Sequence, residues 1–279
     1  MLRVAVIADI HGNVPALDAV IDDIERQNLS CVYVAGDLVG RGPQGRRVVE
    51  RIRLMGWTTI RGNHEDYLLG FRQRRVPESW WHTPQWAASR WMAAELDPDA
   101  EAFIDALPLS VDPHESETLT IVHGSTRSHS EGLGPWTPDE TLVEHLAAID
   151  RPVLVCAHTH RPMIRSLAEG TVVNVGSVGL PFNEDTRAQY VVFHEQHGTI
   201  EAEFRQVAYD RDAILDIYAS SGFLREGGPT AAMLRLELLY ATPYLVPFLA
   251  WCDVHASEPT MEAAATYAHD VRGVPADDD

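Results

Sequence analysis

Four stretches of this sequence share one construction, and it restricts the fold more than any other feature. In each, a short apolar run stops at side chains able to bind a metal. Residues 4–8 lead into Asp9 and His11, and residues 31–35 lead into Gly36 and Asp37. Residues 57–60 precede Gly62, Asn63, His64 and Glu65. The fourth comes in two pieces, with residues 119–122 ahead of His123 and residues 153–156 ahead of His158 and His160. Apolar runs this short suit strands buried on both faces, and open α/β sheets gather their ligands at the carboxyl ends of strands. All five pieces are therefore expected on one edge of the sheets.

The segments between them read as helices. Asn13 can cap a helix with Pro15 in its first turn, and Leu17, Val20, Ile21 and Ile24 follow at helical spacing. A second helix is expected from about 44 to 55. The resulting β-α-β-α-β order predicts a layered α/β fold. Residues from about 66 to 106 read as a helical insertion rich in tryptophan, with Trp80, Trp81, Trp86 and Trp91. Short runs at 163–167, 171–175, 188–193 and 199–206 suggest the antiparallel part of a second sheet. We divide the chain into a domain of residues 1–207 and a helical extension of residues 208–279. In the extension, Leu234, Leu238 and Leu245 would pack on the domain or on a partner chain, which leaves room for a homo-oligomer. Asp277, Asp278 and Asp279 read as a frayed, solvated tail.

Each motif also has an ordinary use. Asp37 after a glycine is a common turn cap, and Asn63 can cap a helix with Glu65 in its first turn. Two histidines one residue apart are harder to explain as packing, because in extended backbone both rings fall on one side of the chain. Two carboxylates, one amide and four histidines form a mixed nitrogen and oxygen shell. That shell suits Mn(II), Fe or Zn(II) better than calcium. Seven ligands exceed what one catalytic ion with an open position takes; two ions sharing a carboxylate would use them.

Composition narrows the partners. The formal net charge is −19, and all 22 basic residues are arginine. Binding along a nucleic-acid backbone runs on counterion release to basic side chains, so no long nucleic-acid track is expected. A small phosphorylated substrate is compatible, since bound cations invert the local field. Three scattered cysteines, Cys31, Cys156 and Cys252, fit a reducing cytoplasm and supply no zinc site. No apolar run approaches the roughly 18–20 residues that span a bilayer, so no membrane partner is expected and the protein is expected in the cytoplasm.

In this order the motifs resemble the calcineurin-like metallophosphoesterase superfamily: Asp9-x-His11, Gly36-Asp37, Gly62-Asn63-His64-Glu65, His123, then His158-x-His160. The matched stretch runs from residue 2 to about 206. Two positions depart from the pattern. Ala157 stands where the family has glycine before the last histidine pair. Gly40 stands where the protein-phosphatase branch has a second aspartate in Asp-x-x-Asp-Arg-Gly. The His-x-His ending, together with Asn174-Val175-Gly176-Ser177, is instead similar to the small prokaryotic phosphodiesterase and phosphatase branch.

The resemblance implies a four-layer αββα sandwich of two mixed sheets. It implies one ion held by Asp9, His11, Asp37 and His160, and another by Asp37, Asn63, His123 and His158. The two divalent ions would be Mn(II) or Fe, with Zn(II) or Ni(II) as alternatives. The expected activity is hydrolysis of a phosphodiester or phosphomonoester by in-line attack of a hydroxide formed between the cations. His64 is the candidate general acid or leaving-group stabiliser. Arg41 and Arg127 are candidates for phosphate contacts. Glu65 serves either His64 or helix structure, and structure is favoured. A protein phosphatase-like enzyme, a dinucleoside polyphosphate hydrolase and a non-catalytic binding scaffold stand as alternatives. The tryptophans would form a lid or, more often in such clusters, the core of the insertion. His82, His114, His129, His145, His194, His197, His255 and His269 lack a matching context.

Overall fold

Strand β1 (Leu2–Ile7) lies at the middle of the molecule because its side chains are apolar on both faces. The computed structural model describes residues 2–196 and 199–275; His197 and the acidic end at Asp277, Asp278 and Asp279 lie outside the described residues. Val4, Val6 and Ala8 face a second sheet, whereas Ala5 and Ile7 face helices. Complete burial of each valine or isoleucine contributes roughly 1.5–3 kcal/mol, so β1 resists any register that exposes a face.

The first sheet also contains β2 (Cys31–Val34), β3 (Thr58–Thr59), β9 (Ala188–Gln196) and β10 (Thr199–Val207), in the order β10-β9-β1-β2-β3. The second contains β4 (Ser110–Val111), β5 (Leu119–Val122), β6 (Val153–Cys156), β7 (Met163–Ser166) and β8 (Thr171–Asn174), in the order β4-β5-β6-β8-β7. Both are mixed: β1 pairs in parallel with β2 and antiparallel with β9, while β8 pairs in parallel with β6 and antiparallel with β7. Ile121, Val155 and Val173 of the second sheet meet Val6, Tyr33 and Phe193 of the first.

Helices α1 (Val14–Arg26) and α2 (Gly45–Met55) cover the outer face of the first sheet, and α6 (Asp139–Leu146) packs on the outer face of the second. The result is a four-layer sandwich. Asn13 caps α1 by accepting from the Ala16 N–H at 3.1 Å, with Pro15 in the first turn. The insertion contributes α3 (Asn63–Arg72), α4 (Ala87–Ala94) and α5 (Pro98–Asp105), with 3-10 turns at Glu78–Trp81 and Pro84–Trp86.

The placement of β9 and β10 corrects the sequence reading, which put the four late strands in one sheet. Only β7 and β8 join the second sheet; β9 and β10 extend the first. The cause is burial: Tyr190 and Val192 face the helical layer, whereas Val191 and Phe193 face the second sheet. Such a strand fits beside β1, which also needs an apolar neighbour on each face. The short β4 and α6 carried too little periodicity to be read in advance.

Among the described residues α7 (Arg211–Ser220), α8 (Phe223–Tyr240), α9 (Leu245–Val254) and α10 (Met261–Thr266) follow, with a π-helical turn at Tyr267–Val271. Leu234 and Leu238 of α8 enter the core shared with α1 to α5. The close approach of α8 to α4 depends on Gly227, where a Cβ would lie 2.7 Å from the Ala231 side chain and 3.2 Å from Ala88. At Gly228 the backbone leaves helical geometry (φ 56°, ψ −141°), just before Pro229. No helix among the described residues is long and apolar enough to cross a membrane.

Asp23 joins α1 to the added strands. Its carboxylate accepts from the Tyr190 hydroxyl at 2.7 Å and from Arg205 at 3.1 Å. Burial opposes the charge, but the Tyr190 and Arg205 hydrogen bonds outweigh it and hold the carboxyl below its usual range. A depressed folded pKa stabilises above the unfolded value of about 4, and the contribution disappears as pH falls through the folded value. Asp23→Ala should therefore lower stability by about 2–3 kcal/mol at pH 7. The gap to wild type should narrow below about pH 4. Urea denaturation at the two pH values measures this; an undiminished gap in acid would exclude the carboxylate as its source.

Candidate metal centre

The loops that leave β1, β2, β3, β5 and β6 meet at one place, and their backbone there is unusual. Asp9, His11, Asp37, Arg41, His158 and His160 all have φ between 50° and 66°. Residues other than glycine rarely occupy this left-handed region, and such strain persists only where the surroundings over-determine it. Two reasons for convergence were read from sequence: a shared strand edge and alternation in extended backbone. The second is corrected by these angles. β1 ends at Ile7 and β6 at Cys156, so both His-containing pairs sit in left-handed turns beyond their strands. His158 and His160 consequently meet different partners.

Hydrogen bonds lock these turns. The buried Glu65 carboxylate accepts from the backbone N–H groups of Gly62 at 2.7 Å, Asp37 at 3.0 Å, Leu38 at 2.7 Å and Val39 at 3.2 Å. Glu65 therefore fixes the β2 turn against the start of α3. Burial, then the Asp37 charge, push its carboxyl up to about 7. Ser177 donates to the Asp9 carbonyl at 2.7 Å, and the Asn174 amide donates to the Ala157 carbonyl at 2.6 Å. Ala157 is absent from the positive-φ residues, which explains how alanine replaces the family's glycine without strain.

The two aspartates are arranged alike. One oxygen of each is held by a backbone N–H: His158 donates to Asp9 Oδ2 at 3.0 Å and His64 to Asp37 Oδ1 at 2.9 Å. The other oxygen of each, Asp9 Oδ1 and Asp37 Oδ2, is buried without a hydrogen-bond partner. Imidazoles surround these bare oxygens. His11 Nε2 is 3.8 Å from Asp9 Oδ1 and 3.6 Å from Asp37 Oδ2. His160 Nε2 is 3.7 Å from Asp9 Oδ1, and His123 Nε2 is 3.3 Å from Asp37 Oδ2. Asn63 Oδ1 lies 3.1 Å from His123 Nε2 and 2.8 Å from His158 Nδ1.

Three of the rings are tied from behind. Nδ1 of His11, His123 and His160 faces the carbonyls of Val39, Ala35 and Leu180 at 3.1, 2.7 and 2.6 Å. A carbonyl only accepts, so Nδ1 donates and the Nε2 lone pair faces the cluster, as in metal-bound imidazoles. Burial pushes His11 and His158 down to about 4. Burial also pushes the Asp9 carboxyl well up. His123 goes the other way: burial lowers it, but the Asp37 and Asp9 charges push it up to about 10, so its Nε2 lone pair becomes available only when a cation displaces the proton. Such a pocket of negative potential, with orphan carboxylate oxygens and lone pairs converging, fits divalent cations. The donors form two groups, Asp9, His11 and His160 in one and Asp37, His123 and His158 in the other; His11 also joins Asp37 and His64.

His64 and Arg41 line a cavity of about 340 Å³ that opens on Asp37, Asn63, His158 and His160. Arg41 Nε donates to His64 Nε2 at 3.3 Å, and Arg41 Nη1 pairs with Glu237 at 2.6 Å. Gly40 makes room for this contact: a Cβ there would lie 2.3 Å from His64 Nδ1. The substitution of glycine for the phosphatase-branch aspartate is thereby explained by packing. Arg127 does not line this cavity; its exposed guanidinium is committed to Glu131 at 2.7 Å and Glu144 at 3.1 Å. Most of the tryptophans serve as packing: Trp80 and Trp86 stack with centroids 3.6 Å apart, and Trp91 meets Phe223. Trp86 also lines the cavity.

Glu237 is a site residue that sequence reasoning missed. It is fully buried on α8, with Oε2 on Arg41 and Oε1 accepting from the N–H groups of Tyr244 and Leu245 at 3.0 Å each. No motif surrounds it, and its partner lies 196 residues away.

Residues 2–198 match the sequence profile of the calcineurin-like phosphoesterase superfamily domain. An uncharacterized protein of Methanocaldococcus jannaschii is 28% identical over 222 residues, covering 74% of this chain and 88% of that protein. A symmetrical bis(5'-nucleosyl)-tetraphosphatase of Paracidovorax citrulli is 32% identical over 151 residues, which are 51% of this chain and 49% of that one. The crystal structure of a metallophosphoesterase from Sphaerobacter thermophilus superposes with a TM-score of 0.65 at 24% identity, over 81% of this chain and 100% of that one. This likeness is one of fold.

Two variants test the geometry. Asp37→Asn should lose Mn(II) binding measured by calorimetry, together with the roughly 2.7 kcal/mol of stabilisation that a ligand at 100 times its Kd provides. Retention of two ions per chain would contradict the shared-carboxylate arrangement. Glu237→Ala should destabilise by about 3–5 kcal/mol, because it leaves the Arg41 charge unpaired and two N–H groups of α9 without an acceptor. Chemical denaturation measures the loss, and one below about 1 kcal/mol would show that the pair is weakly coupled to folding.

Proposed function

Because this chain belongs to the calcineurin-like phosphoesterase superfamily, we propose that it hydrolyses a phosphate ester at a pair of divalent cations held by seven side chains. One cation would take Asp9, His11, Asp37 and His160, and the other Asp37, Asn63, His123 and His158. The observation that carries this reading is the pair of buried, unpartnered oxygens, Asp9 Oδ1 and Asp37 Oδ2, facing imidazole nitrogens. The mixed nitrogen and oxygen donors favour Mn(II) or Fe, with Zn(II) or Ni(II) also compatible. Bound there, two such ions would supply Lewis-acid charge and an activated water for in-line attack on phosphorus.

The remaining roles belong to the chain. Arg41 contributes the only arginine side chain lining the cavity among the described residues. Its Nη1 is engaged by Glu237 and its Nε by His64, so Nη2 is left to meet a phosphate oxygen. The Arg41 contact also orients His64. Since Arg41 Nε donates to His64 Nε2, the imidazole proton resides on Nδ1. Nδ1 packs against Gly40, so it is Nε2, once released by Arg41 and protonated, that would meet the oxygen on which charge develops as the P–O bond breaks, the role of a leaving-group stabiliser. Glu65 does not enter the chemistry, because its carboxylate is occupied by four backbone N–H groups.

A net charge of −19 supports a small phosphorylated substrate over a nucleic-acid track. Three free, buried cysteines favour the cytoplasm as the working compartment. The decisive experiment loads the protein with Mn(II) and follows p-nitrophenyl phosphate and bis-p-nitrophenyl phosphate. His64→Ala should keep wild-type metal content and lose roughly 10²-fold or more in kcat. Full turnover in that variant would remove His64 from the reaction, and no turnover in the loaded wild type on any ester would favour a non-catalytic scaffold.

A further inference from the structure

The far wall of the active cavity is built from elements outside the core sandwich. Trp86 and Met92 come from the insertion, Leu234 from α8, and Leu245, Val246 and Leu249 from α9. The α8 and α9 residues lie beyond residue 198, where the family match ends. The α8 and α9 part of the wall thus lies outside the family match, whereas Trp86 and Met92 lie within it. The wall's chemistry is one-sided. Asp37 and Arg41, both at the metal end, are the only aspartate, glutamate or arginine side chains lining the cavity among the described residues. Away from the metal end the polar lining, at Tyr67, Gln85, Ser89, Ser130 and Thr230, carries no formal charge.

Charge disfavours one class of substrate. With two divalent cations bound, the carboxylates of Asp9, Asp37 and Glu65 and the neutral Arg41–Glu237 pair would leave a net charge of about +1, less once hydroxide forms. One phosphate group balances that charge. A chain of four phosphates would place further negative charge against an apolar wall that offers no cation, which low-dielectric surroundings penalise. Volume agrees, since about 340 Å³ lies at the lower end of small-molecule sites. Val246, 60% exposed at this cavity, is the kind of apolar side chain that a bound organic group would cover.

We infer that the substrate is the phosphate ester of an uncharged, largely apolar alcohol, with its phosphate at the metal end and its organic group against the α4, α8 and α9 wall. This rests on the phosphoesterase reading above. In the reaction water adds to phosphorus, the P–O bond to the organic group breaks, and the alcohol leaves with a proton.

Binding and turnover test it separately. Calorimetry on the Mn(II)-loaded protein would compare methyl-, butyl- and phenylphosphonate, which bind without being hydrolysed. Affinity should rise about 4-fold per buried methylene, and phenylphosphonate should bind at least about 10-fold tighter than methylphosphonate. Val246→Asn and Leu249→Asn should each shrink the phenyl-to-methyl ratio by about 3-fold or more at unchanged metal content; the exposure of Val246 makes the first variant safe for folding. In turnover, kcat/KM should climb along ethyl, butyl and hexyl phosphate, whose leaving groups are chemically alike, and should exceed that for diadenosine tetraphosphate and for a phosphoserine peptide. Equal affinities for methyl- and phenylphosphonate would overturn the inference, as would a preference for the tetraphosphate or the peptide. Ester turnover that ignores the organic group would leave the phosphoesterase reading standing and remove the apolar subsite. Graded phosphonate binding with no ester turned over would keep the subsite and remove hydrolysis.

Discussion

Two buried aspartates, each with one oxygen held by a backbone N–H and the other bare, impose the main constraint on this structure. Adjacent like charges away from water oppose folding by several kcal/mol unless positive charge joins them. The chain supplies that opportunity with imidazoles turned inward by carbonyls of Val39, Ala35 and Leu180. It also forces the bearing residues into left-handed backbone, which they would not adopt alone. Stability must therefore come from elsewhere, and the apolar interface between the two sheets is the evident source.

The locking elements matter as much as the donors. Glu65 occupies four N–H groups around the β2 turn and the start of α3, so Asp37 and His64 cannot move independently. Ser177 and Asn174 do the same for the turns that carry Asp9 and the last histidine pair. None of these three would touch a phosphate. Their effect is to remove freedom from groups that would, which is how a site holds its geometry before a ligand arrives.

The C-terminal helices change the character of the site. Through Glu237 they grip Arg41, and through the same carboxylate they fix the start of α9. Tyr218 adds a hydrogen bond to the Arg41 carbonyl at 2.8 Å. A segment outside the family match thus both orients a charged group beside the clustered donors and walls the space in front of them. A common scaffold can acquire its own selectivity in this way, because the added helices alter the surroundings of the reacting groups and leave the groups themselves in place.

Much of the site was legible in the chain because its donors follow apolar runs, and a run buried on both faces ends at a sheet edge whatever the rest of the fold does. The α1 cap at Asn13 and the early alternation of strands and helices were legible for the same local reason. The orientation of each ligand was not, since left-handed turns beyond the strands decide it and no spacing rule encodes them. Nor was the sheet that β9 joins, which depends on β1 lacking an apolar neighbour. Arg127 looked as suitable as Arg41, and only the positions of Glu131 and Glu144 separate them. The sequence by itself determined which side chains could bind a metal and gather at one sheet edge, because that follows from their donor atoms and local pattern. Tertiary structure alone decided Glu237 and the apolar wall, because contacts between residues some 200 positions apart exist only once the helices have packed.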